Sequence, residues 1–161
     1  NSLRQLAVRS GLGYQAEKWA ISGSYNNLFS EQDESDRTQR TDANLSFKQL
    51  LTMGFFFYPE ATYLSNNEQE LDLRFTALLG FGKYVFRTNK LFWNFTAGIA
   101  NTTEQYSDET PSNNSYESFI GTNLNLFDIG DLSLQGKGTV FPSLTERDRL
   151  RVDAQLDLKY D

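Results

Sequence analysis

The segment Lys90-Leu91-Phe92-Trp93-Asn94-Phe95-Thr96-Ala97-Gly98-Ile99-Ala100-Asn101 alternates apolar with small or polar side chains along almost its whole length. Leu91, Trp93, Phe95, Ala97 and Ile99 fall on one side; Asn94, Thr96, Gly98 and Ala100 fall on the other. Successive side chains of a strand point to opposite faces, so the pattern predicts a long strand between two different environments. The same alternation recurs near the end of the sequence, where Leu150, Val152, Ala154, Leu156, Leu158 and Tyr160 oppose Arg151, Asp153, Gln155, Asp157 and Lys159. Such regularity predicts an all-β chain, an antiparallel up-and-down transmembrane β-barrel with a lipid-facing side and a polar lumen.

Working outward, nine strands are readable: Leu3–Tyr14, Trp19–Phe29, Thr41–Leu50, Gly54–Leu64, Leu71–Phe86, Leu91–Gln105, Tyr116–Phe127, Leu132–Phe141 and Leu150–Tyr160. Ala16–Lys18, Leu51–Thr52, Arg87–Asn89 and Asp128–Gly130 read as tight turns. Between them lie longer polar links, at Ser30–Arg40, Ser65–Glu70, Ser107–Ser115 and Pro142–Arg149. Short turns at one end and longer loops at the other are an outer-membrane barrel pattern. With tight turns periplasmic, the first and ninth strands both descend from the cell surface. Bacterial single-chain barrels have even strand counts. The expectation is therefore a single domain over 1–161 that belongs to a barrel of about ten strands, with one rising strand before Asn1, or of twelve with two more beyond Asp161.

Composition narrows function by exclusion. The 161 residues carry 15 basic and 21 acidic side chains, a net charge of −6, which does not match the basic footprint of a nucleic-acid binder. The chain contains no histidine and no cysteine. The usual general base, thiolate nucleophile and commonest metal ligand are thereby absent. No enzyme activity, catalytic residue, cofactor or metal is expected. Glu31, Asp33, Glu34 and Asp36 cluster in the first long link, but no EF-hand spacing accompanies them and solvated loop charge accounts for them. Gly11-Leu12-Gly13 and Gly80-Phe81-Gly82 lie inside strand patterns with no helix following, so they are not phosphate loops. Glycines in a barrel wall ease curvature or make room for a neighbouring ring.

The two faces carry different chemistry. Leu45, Phe47, Phe55, Phe57, Phe75, Leu79, Ile120, Leu124, Leu134 and Val140 continue the apolar side. Aromatics beside the tight turns (Tyr14, Trp19, Tyr84, Phe86, Phe92, Trp93 and Phe127) are assigned to a membrane-interface girdle, where amphipathic rings favour the headgroup level. Ordinary sandwich-core aromatics are the alternative. The opposite side carries Lys48, Glu60, Asp72, Arg74, Lys137, Arg151, Asp153, Asp157 and Lys159, nearly balanced in sign. In a narrow barrel these should pair as a lumen charge network, giving a plugged lumen, because a buried lone charge is costly. A solvated sheet face is the plainer reading.

The run Leu79-Gly80-Phe81-Gly82-Lys83-Tyr84-Val85-Phe86-Arg87-Thr88-Asn89-Lys90 leading into Leu91–Ala100 resembles the YdiY-like, salt-induced outer-membrane protein family, bacterial β-barrel domains of unknown function. The shared features are a glycine-rich strand ending in aromatics, a short turn with Arg or Asn, and an aromatic strand closing on Ala-Gly. Ser10-Gly11-Leu12-Gly13-Tyr14 matches an early strand of that family. The resemblance implies a Gram-negative outer-membrane location and a link to salt or envelope stress. It supplies no catalytic residues.

Three functions are then distinguishable. The first is an outer-membrane barrel with a structural, envelope-stabilising or protein-interaction role, its partners being outer-membrane lipid and other envelope proteins met through long loops or an open strand edge. The second is a narrow pore or small-solute transporter, in which Arg74 and Lys137 set ion selectivity. The third is a soluble lipocalin-like module with the apolar side turned inward around a hydrophobic ligand.

Overall fold

The computed structural model describes residues 3–32 and 36–160. It is all-β. The strands are β1 (Leu3–Gln15), β2 (Trp19–Gln32), β3 (Asp36–Leu50), β4 (Phe55–Asn66), β5 (Leu71–Arg87), β6 (Leu91–Tyr106), β7 (Asn113–Ile129), β8 (Leu132–Pro142) and β9 (Leu150–Tyr160). They form one antiparallel sheet in the order β1 to β9. The sheet is not closed: β1 and β9 stand at its two ends. Up-and-down order follows from the short connections, since a hairpin is the only link available to strands separated by a few residues.

The alternation sets the register. β1 and β2 pair without interruption from Leu3↔Gln32 to Gln15↔Ala20. β8 and β9 pair from Leu132↔Tyr160 to Pro142↔Leu150. A one-residue slip in either ladder would exchange the two faces, which differ too much to tolerate it. Between β7 and β8 the register shifts once, between Leu126 and Ile129, beside the turn at Gly130. The β3–β4 connection is a 3-10 turn, Thr52–Gly54, with Met53 at φ 62 and Gly54 at φ 77. A second 3-10 turn, Asn67–Gln69, links β4 to β5 and ends on Glu70 in the left-handed region.

Three strands run three or more residues beyond their sequence pattern. β2 continues to Gln32, β3 begins at Asp36 and β7 begins at Asn113. The expected long loop at Ser30–Arg40 is therefore mostly hairpin, and Asp33 and Glu34 lie outside the described residues. These strand ends are polar on both faces, so they carry no apolar period. What sustains them is the ladder itself and its cross-strand pairs, such as Arg37 donating to Glu31 at 3.0 Å. Only the connections at 107–112 and 143–149 keep the character of longer loops.

The chain divides into two compact units. One comprises Asn1–Lys48, Pro59–Leu78 and Asn101–Ser115; the other comprises Gln49–Tyr58, Leu79–Ala100 and Tyr116–Asp161. Among the described residues the buried hydrophobic ones are few: Leu71 belongs to the first unit, Phe56 and Phe119 to the second.

Candidate functional site

In the first unit, one face is a succession of cross-strand polar pairs. Ser22 and Ser46 hydroxyls meet at 2.7 Å, and Asn26 donates to Asp42 at 2.9 Å. Asn44 donates to Glu60 at 2.8 Å and to Thr62 at 3.1 Å. Arg74 donates through Nε to Glu104 at 2.8 Å, and the other oxygen of Glu104 accepts from the Tyr106 hydroxyl. Arg40 lies 3.6 Å from Asp42, and with Arg9 and Asn26 it lines an open hollow of about 340 Å³. Alternation places Lys48 and Asp72 on this same polar face. Asp72 has no ion pair or side-chain hydrogen bond among the described residues. The other face carries exposed Leu6, Val8, Leu12, Ile21, Leu45 and Phe75. Tyr14 packs on Trp19 at 5.2 Å, and Trp19 on Phe47 at 6.1 Å.

The loop end of this unit is tied together by side chains. Asn67 accepts from the Gln39 N–H and donates to the Arg37 carbonyl, both at 2.8 Å, so one amide continues the β3 edge as a strand would. Thr38 donates to Glu68 at 2.9 Å. The Glu70 carbonyl accepts from both the N–H and the hydroxyl of Ser107. Asp108 beside Glu70 raises the Glu70 carboxyl above its ordinary value, first by sharing a hydrogen bond and then by charge repulsion. Asp108 itself is held below the ordinary range, chiefly by hydrogen bonds from Thr110, whose N–H donates at 2.9 Å.

In the second unit, the polar face is filled by rings. A Cβ built on Gly80 would fall on the ring of Tyr58, and one on Gly82 would fall on the ring of Phe56. A Cβ on Gly98 would meet the Leu79 carbonyl oxygen and the ring of Phe119. Phe56 also packs on Tyr84 at 4.7 Å, and Tyr84 on Phe92 at 5.2 Å. Asn94, 5% exposed, accepts from Asn123 at 3.1 Å on this face. Further along, Phe119 packs on Phe141, and Arg151 lies 4.1 Å over the Phe141 ring. Arg151 is 3.5 Å from Glu117 and 3.9 Å from Asp153. Lys137 stands between Asn123 and Gln155 in the ladder, with no ion pair among the described residues. Asp157 accepts from Gln155 at 2.7 Å, and Lys159 pairs with Ser133 in register. The apolar face holds exposed Leu79, Phe81, Phe95, Ile99, Ile120, Leu156 and Leu158. There Trp93 donates its indole N–H to Thr122 at 2.9 Å and stacks on Phe86.

The aromatics beside the tight turns pack in separate groups. Trp93 and Phe86 form one stack, and Tyr14 with Trp19 another. Tyr84 and Phe92 instead sit on the polar face with Phe56, because their positions are in phase with Gly82 and Asn94. Phe127 is exposed beside the β7–β8 turn, where its N–H donates to Lys90. Among the charges read from the sequence, Arg151 lies 3.9 Å from Asp153, while Arg74 joins Glu104 and Arg151 joins Glu117, and neither glutamate stood among the candidates read from the sequence. Once the β5–β6 hairpin register is assigned, the Arg74–Glu104 pair becomes readable, because a cross-strand neighbour is fixed by arithmetic, whereas Arg151 reaches Glu117 across the intervening β8. No group of three carboxylates able to hold a metal ion occurs among the described residues.

These features define an antiparallel all-β protein in which each unit has an exposed apolar face and a polar face, built of cross-strand pairs in the first unit and of packed rings and amides in the second. The chain belongs to the family described as "Protein of unknown function, DUF481", which matches residues 2–161. This agrees with the resemblance carried by Leu79–Ala100. Comparison with curated proteins found no match.

Proposed function

We propose that this chain forms the wall of an outer-membrane β-barrel of the Gram-negative cell envelope, with a structural, envelope-stabilising or protein-interaction role, no enzymatic activity, and lipid as its principal partner. One observation carries the reading. Among the described residues three large hydrophobic residues are buried, whereas Leu6, Val8, Leu12, Ile21, Leu45, Phe75, Phe81, Phe95, Ile99, Ile120, Val152, Leu156 and many more are exposed. A water-soluble protein has the reverse distribution, and a band this extensive aggregates in water unless something apolar covers it. Lipid covers it without further cost, and no strand in such a sheet needs to be apolar on both sides.

The rings seated over Gly80, Gly82 and Gly98 support a plugged rather than an open polar interior, since they occupy the face that would line a channel. The test is fractionation of bacterial membranes, with gel mobility compared before and after boiling. Outer-membrane enrichment with a mobility shift is the expected result. A protein that stays soluble and unshifted would overturn the reading and turn attention to a hydrophobic ligand. Conductance in planar bilayers, altered by charge removal at Arg74 or Lys137, would favour the pore instead.

A further inference from the structure

In the second unit, the apolar face of β4, β5 and β6 is uncharged except at two positions, Lys83 and Arg87, both on β5. Lys83 is exposed, between Phe81 and Val85 on that face, and its ammonium lies 4.9 Å from the centre of the Phe55 ring. It has no ion pair or side-chain hydrogen bond among the described residues. A ring attracts the ammonium through its π face but accepts none of its three N–H donors as an oxygen would. The Arg87 guanidinium, at the end of the strand, stands 4.9 Å over the Tyr84 ring.

The neighbours of Lys83 fix its height on the face. Phe55 is the first residue of β4, and its carbonyl accepts from the Leu51 N–H at 2.7 Å, which closes the β3–β4 turn. A Cβ on Gly54 would lie 3.2 Å from the Tyr84 carbonyl oxygen, so this turn runs beside the residue that follows Lys83. Lys83 therefore leaves the sheet level with a tight turn, not in the middle of the apolar face. The turn itself is apolar, with Leu51 exposed and Met53 82% exposed. Towards the middle of the face, Phe81 packs on Phe57 at 6.2 Å. A lysine on the lipid side of a barrel is costly at the bilayer midplane and far less so at the interface. There its stem lies along apolar surface while the ammonium stays among the headgroups.

We propose that Lys83, seated on Phe55, binds the phosphate of a membrane phospholipid in the leaflet that meets the tight-turn end, with an acyl chain of that lipid laid along Phe81 and Phe57. The ammonium donates to the phosphate oxygens, a charge-assisted contact that its ring partner leaves open. The site favours an anionic headgroup such as phosphatidylglycerol. A zwitterionic choline headgroup brings a second cation to a place where Lys83 and Arg87 already supply two. The inference deepens the lipid partnership proposed above and rests on it.

The test uses the full chain in maltoside micelles, titrated with dihexanoyl phosphatidylglycerol, dihexanoyl phosphatidylcholine or inorganic phosphate. NMR follows the amides of Phe55, Phe57, Phe81 and Lys83, and gel mobility before and after boiling checks that each variant is folded. Phosphatidylglycerol should shift these amides saturably, with affinity about tenfold weaker in Lys83→Gln and largely restored in Lys83→Arg. Phosphatidylcholine should bind more weakly, and inorganic phosphate should not saturate the shifts. Binding of phosphatidylglycerol to Lys83→Gln as tightly as to the parent chain would overturn the site, even if fractionation places the protein in the outer membrane. So would inorganic phosphate binding as tightly as the lipid, because the acyl contacts would then contribute nothing. A chain that fractionates as soluble would remove the membrane reading and this site together.

Discussion

The ring of Phe56 occupies the space that a side chain on Gly82 would fill. Phe56 is 2% exposed, and a Cβ on Gly82 would overlap the outer edge of its ring. Phe56 is thus packed by the absence of an atom on the neighbouring strand. Substituting Gly82→Ala should force the ring off its seat and destabilise the protein by about 1–3 kcal/mol. Gly138→Ala, with nothing within 4 Å of its Cβ, should change stability by less than about 0.5 kcal/mol. Urea unfolding in detergent, followed by tryptophan fluorescence, measures both. Equal effects would show that Phe56 does not depend on the glycine.

Gly98 should be less forgiving than Gly82. Its Cβ would meet not only the Phe119 ring but also the Leu79 carbonyl oxygen. A ring can swing to another rotamer, whereas a backbone oxygen moves only if the strand moves. Gly98→Ala is therefore expected to lower the unfolding midpoint more than Gly82→Ala, and to disturb amide shifts in β5 around Leu79. A smaller effect at Gly98 would mean that the ladder adjusts more cheaply than side-chain packing.

The side-chain amide of Asn67 bonds to the backbone of β3 at both Gln39 and Arg37. Asn67→Ala removes both bonds and leaves the Gln39 N–H without that acceptor. The expected cost is about 1–2 kcal/mol. Exchange of the Gln39 amide should accelerate while amides in β8 stay unchanged. An unaltered Gln39 would show that water replaces the asparagine without loss.

Much of this architecture is legible in the sequence because a two-residue period survives in every strand. The assignment of Trp93, Phe95, Ile120 and Leu156 to one face needs nothing beyond alternation. What alternation cannot reveal is whether a polar stretch is strand or loop. Gln32, Asp36 and Arg37 pair in ladders whose ends are polar on both faces, so the sequence loses its period before the hydrogen bonds stop. The face that Tyr84 and Phe92 occupy was not read, for a related reason. Proximity to a turn identifies ring-rich ends, but phase relative to Gly82 and Asn94 decides which face receives each ring. The ion partners Glu104 and Glu117 were invisible because pairing depends on register between strands, which composition does not carry.

Arg74 and Glu104 offer a direct measure of how much the polar face contributes. Their contact is 2.8 Å, with Arg74 40% and Glu104 18% exposed. Because the arginine is substantially solvated, screening limits the pair, and a coupling of about 1 kcal/mol is expected from a double-mutant cycle with Arg74→Gln and Glu104→Gln. Raising salt to about 1 M, where the Debye length falls to about 3 Å, should reduce it. A coupling that does not respond to salt would mean that hydrogen bonding to Tyr106, rather than charge, holds the glutamate.

The Glu70 and Asp108 carboxyls should titrate in opposite directions from their ordinary values. Hydrogen bonding and repulsion from Asp108 raise Glu70, so the folded loop binds a proton more readily there than the unfolded chain does. The stabilising contribution of protonated Glu70 is present below the ordinary glutamate range and is lost as pH rises through the raised value. Asp108 behaves the other way. Hydrogen bonds from Thr110 lower it, so its contribution is present above the ordinary aspartate range and is lost as pH falls through the lowered value. Both groups are fully exposed, which keeps either effect on stability small and makes titration the better observable. Carboxyl carbon shifts followed by NMR should show Asp108 deprotonating well before Glu70. Asp108→Asn should bring Glu70 down towards the ordinary glutamate value, because the shared hydrogen bond and the repulsion both depend on the aspartate. If Glu70 keeps its raised value in that variant, its cause lies elsewhere in the loop, and the contact with Asp108 has no electrostatic consequence.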